Sequence, residues 1–164
     1  MSMKTHDFAD VADRFIERAH SEVWCNVATI DSQGRPRSRI LHPIWEGETG
    51  WITSDPRSLK SRHLAHHPYV SVAYVKNHFT PVTADCHAEW VVDIETLQHV
   101  WGLVRTTPEP LGFDPATICP PIGEEVPNRP LFGVIKLTPY RITLYGFPQP
   151  PVIWTPGDEE QAAD

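Results

Sequence analysis

What this sequence lacks narrows its function before any motif is read. No apolar run reaches the roughly 18–20 residues of a membrane-spanning helix, so a spanning segment is excluded. Basic residues are in deficit: 14 Lys and Arg against 21 Asp and Glu give a net charge of −7 over 164 residues. Proteins that grip phosphate backbones carry the opposite balance, so nucleic acid is not an expected partner. Cysteine is scarce. Cys25, Cys86 and Cys119 form no CxxC pair, and three cannot complete a disulfide framework, so they read as reduced thiols. Residues 1–10 lack the apolar stretch of a secretory signal, and a cytoplasmic location is the matching expectation. No Walker-type loop, GxGxxG or Ser-His-Asp ordering occurs, which leaves P-loop, Rossmann and hydrolase readings without support.

What is present is enough for one packed domain. Hydrophobic residues make up 40 %, with six Trp and six Phe, and the length fits a single unit over residues 1–155. The acidic stretch 156–164 is expected to fray. Seventeen prolines, clustered after residue 107, argue against long helices. Phe8, Val11, Ala12, Phe15, Ile16 and Ala19 have helical spacing, predicting an amphipathic helix over 7–19. Residues 23–30 are β-branched and aromatic, a strand. Asp31-Ser32-Gln33-Gly34 is a turn signal. The chain then returns over 35–45 as the second strand of a hairpin, and 51–53 is a third, giving an antiparallel meander. Ser54-Asp55-Pro56 opens a helix whose inward face is Leu59, His63 and Leu64 and which stops before Pro68. Strands follow at 69–75 and 82–92, a helix at 94–104, and a proline-rich loop at 106–130 with one short turn at 114–119. Residues 131–137 and 141–145 close the sheet, with Pro139 expected to impose a bend or an edge. Mostly antiparallel strands with short peripheral helices predict a mainly β, α+β fold, an antiparallel β-barrel of six or seven strands.

One constellation points to chemistry. Arg39 on the second strand is expected near the exit of the third, where Thr53, Ser54, Ser58 and Lys60 follow in quick succession. A strand leading into a helix N-terminus offers unpaired amides and a positive dipole end. The hydroxyls add neutral donors, Lys60 adds a charge, and Arg39 adds the planar fork that matches phosphate. Such a set would hold a phosphate dianion. The same residues also describe a capped helix with solvated basic groups, and spacing alone does not separate the two.

The run Val27-Ala28-Thr29-Ile30-Asp31-x-x-Gly34-x-Pro36-x-x-Arg39-Ile40-Leu41-His42-Pro43 resembles the pyridoxamine 5′-phosphate oxidase-like family of flavin-binding split β-barrels. So do Gly50-Trp51-Ile52-Thr53, Ser58-x-Lys60, His63-Leu64 and Pro68-x-Val70-Ser71-Val72-Ala73-Tyr74, in that order, and Val134-Ile135-Lys136-Leu137-Thr138-Pro139-Tyr140-Arg141 further on. The resemblance implies a six-stranded split-barrel FMN-binding oxidoreductase, a homodimer with flavin between its subunits, acting on a small molecule. Arg39, Ser58 and Lys60 would hold the FMN phosphate, with Thr53 and Ser54 beside it and the Ile40–Leu41 backbone under the ring. The chain departs from true pyridoxamine phosphate oxidases in two places. It reads His42-Pro43-Ile44-Trp45 where they carry a basic substrate-phosphate residue, and it ends without their Arg and His pair. A vitamin B6 oxidase is therefore not expected.

Other readings stay open. Arg35, Arg37, Arg57 or Arg62 would serve the acidic tail of F420, the deazaflavin of related reductases. A non-catalytic flavin or haem carrier would need an axial ligand, for which His42, His63 and His87 are the candidates. His42 is also a candidate proton donor near neutral pH, or a plain structural histidine. Trp45, Trp90 and Trp101 would line a substrate pocket or simply fill the core. His63, His66 and His67 have helical spacing suited to a metal, but their place at a helix end favours a solvated role, and no metal is expected.

Overall fold

The computed structural model describes residues 2–118 and 131–157. Nine strands and three helices follow one another: β1 (Met3–Thr5), α1 (Ala12–Glu22), β2 (Cys25–Ile30), β3 (Pro36–Leu41), β4 (Ile44–Glu46), β5 (Thr49–Ser54), α2 (Leu59–His66), β6 (Tyr69–Tyr74), β7 (Val82–Trp90), α3 (Ile94–Thr106), β8 (Gly133–Gly146) and β9 (Gln149–Trp154). They form one sheet in the order β1-β9-β8-β7-β6-β2-β3, with β5 joined to β8 and β4 to β5. This is the mainly β split-barrel architecture expected from the sequence. β1, β4 and β9 add three short strands to the six, and the sheet does not close on itself.

The split is made at β8. One edge of β8 pairs with β7 over residues 135–144; on the other, β5 takes residues 133–137 and β9 takes 142–146. Pro139 falls in the gap where neither β5 nor β9 pairs, and its partner on β7 is Cys86, beside a register shift. Its missing N–H therefore costs no ladder bond. The expected bend is instead one continuous strand.

Several boundaries differ from expectation. The first helix is a 3-10 turn at Phe8–Asp10 followed by α1. The predicted strand 35–45 is two strands, because Pro43 interrupts it, and β4 pairs with β5 rather than β2. The meander is thereby corrected: β3 pairs only with β2 and is a free edge. α2 begins three residues later than predicted, with Ser58 at its N-cap, and Leu59 is 60 % exposed rather than inward. The predicted turn at 114–119 is a 3-10 turn at Pro115–Thr117. The rest of the proline-rich segment, Cys119 included, and most of the acidic tail lie outside the described residues.

Packing explains the helices. Val11, Phe15 and Ala19, at i, i+4 and i+8, bury one stripe in the core with Trp45, Tyr74 and Leu137. Leu97, Val100 and Val104 of α3 cover a second cluster with Val23, Ile44, Phe132 and Val134. Between α1 and β2 the chain makes a sharp corner at Val23 (φ 67°, ψ −60°), and Trp24 N–H bonds Glu22 C=O at 2.8 Å across it. A β-branched residue in this γ-turn is strained by about 1–3 kcal/mol. Burial of Val23 and the bonds from Val75 and Lys76 amides to the Glu22 carboxylate hold it there. Among the described residues no helix is long and apolar enough to cross a membrane.

Candidate functional site

β5 ends at Ser54, and the next four residues build a compact corner. The Ser58 amide bonds Asp55 C=O at 3.1 Å. The Asp55 carboxylate accepts from the Arg57 amide at 2.8 Å and from its guanidinium at 2.9 and 3.0 Å. These hydrogen bonds pull the Asp55 carboxyl down to about 2. Arg57 is thus matched by its own neighbour. The Ser58 hydroxyl does not cap α2. It accepts instead from Lys60 Nζ at 3.3 Å, and Ser54 Oγ accepts from the same ammonium at 2.6 Å. Two hydroxyls and an ammonium therefore gather at a helix start whose first-turn amides no side chain caps.

Arg39 joins them from β3. The antiparallel register sets Arg37, Arg39 and Leu41 opposite Thr29, Val27 and Cys25, on the inward row. Arg39 Nη1 donates to the hydroxyl of buried Thr29. Thr29 Oγ1 lies 3.1 Å from His63 Nδ1 on α2. Burial, and then Arg39, lower the pKa of His63. The ring is therefore neutral at neutral pH and shares one hydrogen bond with the Thr29 hydroxyl, whose oxygen also accepts from Arg39. Burial, then Arg39, also lower Lys60, while burial and Arg37 lower Arg39. Among the described residues neither cation forms an ion pair. The structure thus gathers Ser54, Ser58 and Lys60 by hydrogen bonds and puts Arg39 within electrostatic reach of Lys60, because α2 lies against β2 and not because β3 pairs with β5.

The free edge of β3 supplies backbone groups. The hairpin closes with the Asp31 amide on Arg35 C=O at 2.9 Å, and Gly34 takes φ 76° in the turn. From that bond the ladder alternates, so the main-chain groups of Ser38 and Ile40 point to the open edge while those of Leu41 face β2. Ile40 is 61 % exposed and Leu41 is half-buried.

A cavity of about 210 Å³ opens beside the seat, lined by Thr53, Ser54, Asp55, Arg57, Ile118, Leu131 and Phe132. The tryptophans divide. Trp45 is 3 % exposed, lies over Gly50 and donates to Tyr74 Oη at 2.9 Å, so it is a core residue and does not line this cavity. Trp90 packs against Gly133 near Ser54 and Pro56, at the flank of the cavity. Trp101 stands behind it, 5.0 Å from the Phe132 ring. His42 is not part of the Arg39–Lys60 cluster; its ring meets those of Trp24 and Phe113 at 4.6 and 5.5 Å, tilted by 57° and 58°. His87 meets the Tyr69 ring edge-on at 5.6 Å. Sequence reasoning missed Thr29 as the residue that orients Arg39. Its signal was a polar residue on the inward row of an otherwise apolar strand.

Comparison with known proteins agrees with this fold. The family model described as pyridoxamine 5′-phosphate oxidase matches residues 10–145. No curated protein sequence matches the chain. Among solved structures, a pyridoxamine 5′-phosphate oxidase-related, FMN-binding protein of Nostoc punctiforme superimposes with a TM-score of 0.58 at 17 % identity, over 87 % of this chain and 86 % of that one. An F420 reductase gives 0.56 at 16 %, over 79 % and 94 %. HutZ, the haem storage protein of Vibrio cholerae, gives 0.60 at 19 %, over 83 % and 96 %. At these identities the likeness to the solved structures is one of fold.

Proposed function

The chain belongs to the pyridoxamine 5′-phosphate oxidase family, and from that premise we propose that it is an FMN-binding oxidoreductase that moves two electrons, as a hydride, to or from a small molecule. The observation that carries the reading is the pairing of Arg39 with Lys60. Two partly desolvated cations lie within electrostatic reach of each other, Lys60 bonded to two hydroxyls and Arg39 to a third, with no ion-pair partner among the described residues, an arrangement that an anion relieves. The donor set fits a phosphomonoester: one guanidinium, one ammonium, the Ser54 and Ser58 hydroxyls and the uncapped amides of α2. Thr53 is placed beside Ser54, at the cavity wall. The main-chain groups of Ser38 and Ile40 on the open edge of β3 are suited to the polar rim of a flat heterocycle.

Flavin bound there would supply the redox chemistry; the protein supplies grip and orientation. Thr29 and His63 hold the Arg39 fork, and Ser54 and Ser58 hold Lys60. One chain's cavity is smaller than the roughly 300–1,000 Å³ of small-molecule sites. A second copy packed against the open edge of β3 would complete the enclosure, so the active form is a homodimer.

The positive field around Arg39 continues through Arg37 and Arg62, both of which act on His63. That favours F420, with its longer acidic tail, as the second reading. The visible spectrum of the purified protein decides among the cofactors: bands near about 370 and 450 nm report flavin, about 420 nm deazaflavin, and a Soret band haem. A colourless protein that fails to quench FMN fluorescence on titration refutes the proposal. Oxidation of NAD(P)H or reduced F420 with turnover separates enzyme from carrier.

A further inference from the structure

A second cluster lies at the far end of the β2–β3 ladder from the hairpin turn. Trp24 immediately precedes β2, and His42 immediately follows β3; their rings meet at 4.6 Å. Strand alternation puts both on the outward row that contains Ile40, since Cys25 and Leu41 point inward. Phe113 backs His42 at 5.5 Å, and its amide is pinned to Val104 C=O at 3.1 Å. The bend that delivers Phe113 requires Gly112, where a Cβ would come within 1.9 Å of Thr107 C=O. Trp24 is delivered by the strained corner at Val23, yet it remains 55 % exposed. An indole held at the cost of backbone strain and left open to solvent adds little to the core. Its ring meets that of His42 at a tilt of 57°, which leaves more than half of the indole residue open.

His42 is equipped for more than packing. Burial lowers its pKa, against an opposing pull from the Leu111 backbone, so the ring is neutral at neutral pH. A neutral imidazole carries one ring nitrogen with a bare lone pair, and the described residues offer that nitrogen no donor. The cluster therefore offers a flat apolar face and, beside it, one acceptor.

We propose that Trp24 and His42 form a stacking subsite for the second substrate, a planar conjugated ring carrying an O–H or N–H, which lies on the Trp24 indole and donates to His42. The inference rests on the flavin reading for its purpose, because the subsite adjoins the Ile40 edge assigned to the cofactor ring. It makes its own prediction about binding.

The test uses 2-naphthol as the probe, with 2-methoxynaphthalene and decahydro-2-naphthol as controls, titrated calorimetrically into the full chain. Wild type binds 2-naphthol saturably, and the Trp24 indole N–H resonance moves with occupancy. Trp24→Ala weakens this binding about fivefold to tenfold, in line with the worth of an aromatic stack, while Trp24→Phe keeps most of it. The saturated alcohol binds no better to wild type than to Trp24→Ala. The methyl ether binds more weakly than the phenol to wild type and equally to His42→Ala. Unchanged 2-naphthol affinity in Trp24→Ala overturns the proposal. So does sedimentation showing that Trp24→Ala turns a dimer into monomers, which would mean that a second copy covers the indole. FMN titration of wild type and Lys60→Ala, run alongside, reports separately on the phosphate seat, so failure of one reading is distinguishable from failure of the other.

Discussion

In Lys60→Met the aliphatic stem is kept and the ammonium is lost, which sets stability and binding in opposition. The ammonium is half-buried, touches two serine hydroxyls and feels Arg39. Without a ligand its removal relieves repulsion, and water reaches the freed hydroxyls. The unfolding free energy should stay level or rise by less than about 1 kcal/mol, since the half-buried ammonium keeps part of its solvation. With FMN the variant loses one charge-assisted contact worth about 1.5–3 kcal/mol, a loss of about 10- to 150-fold in affinity. Riboflavin, which has the ring and no phosphate, should bind both proteins alike. Fluorescence titration with the two flavins, and urea unfolding without either, read these outcomes.

The sign of the pH dependence follows from the same group. Burial and Arg39 lower the Lys60 pKa below its ordinary 10.5. Between the lowered value and 10.5 the unfolded chain binds more protons, so Lys60 makes wild-type stability rise with pH through that window. Lys60→Met should lose that rise. Equal losses for FMN and riboflavin, or a stability drop well beyond 1 kcal/mol, would refute the assignment of Lys60 to a phosphate seat.

Thr29→Val keeps the shape of a buried strand residue and removes the acceptor that orients Arg39; FMN should bind about three- to tenfold more weakly, with stability changed by less than about 1 kcal/mol, as titration and urea unfolding would read. His20 Nε2 accepts from the Trp45 amide at 3.0 Å, and burial lowers its pKa below 6.5. The unfolded chain therefore binds the proton first, and stability should fall as pH drops from about 6.5 through the lowered value; His20→Gln should flatten that slope in urea midpoints measured at pH 7.5 and 5.5. Gly133→Ala places a methyl 2.6 Å from Pro56 Cγ, Ser54 C=O and Trp90 Cζ3, and thermal unfolding should show a loss of about 1–3 kcal/mol or more. Gly102→Ala on α3 meets nothing within 4 Å and should gain about 0.5–1 kcal/mol in the same assay.

What could be read in advance was local. Asp31 and Gly34 announce the hairpin because an Asx side chain and a positive φ make that turn in almost any context. Alternation along β3 then fixes Arg39 inward. Ser54, Ser58 and Lys60 lie within seven residues, so one corner had to bring them together. The missed features depend on distant packing. Thr29 and His63 are 34 positions apart, and only the closure of α2 over β2 joins them. β9 was not anticipated: Pro150 and Pro151 lack the N–H of a ladder donor, and they are accommodated where its register with β8 skips, with β1 pairing only beyond them.

Trp24 shows the same limit more sharply. No local preference places a valine at φ 67°. Burial of Val23 under α3 and the Glu22 carboxylate's grip on two β6-end amides impose that corner, and only the corner turns the indole outward. The corner proposed as a phosphate seat was legible because three of its groups, Ser54, Ser58 and Lys60, share one short segment. The aromatic cluster was not, because Trp24 and Phe113 are each delivered by a bend that packing elsewhere imposes. If that division holds, truncating Trp24 and relaxing Val23 should have the same effect on 2-naphthol. Val23→Gly, which frees the corner without touching the ring, should lose the indole shift while Lys60→Met retains it. An indole response that survives Val23→Gly would show that the strained corner does not position the ring.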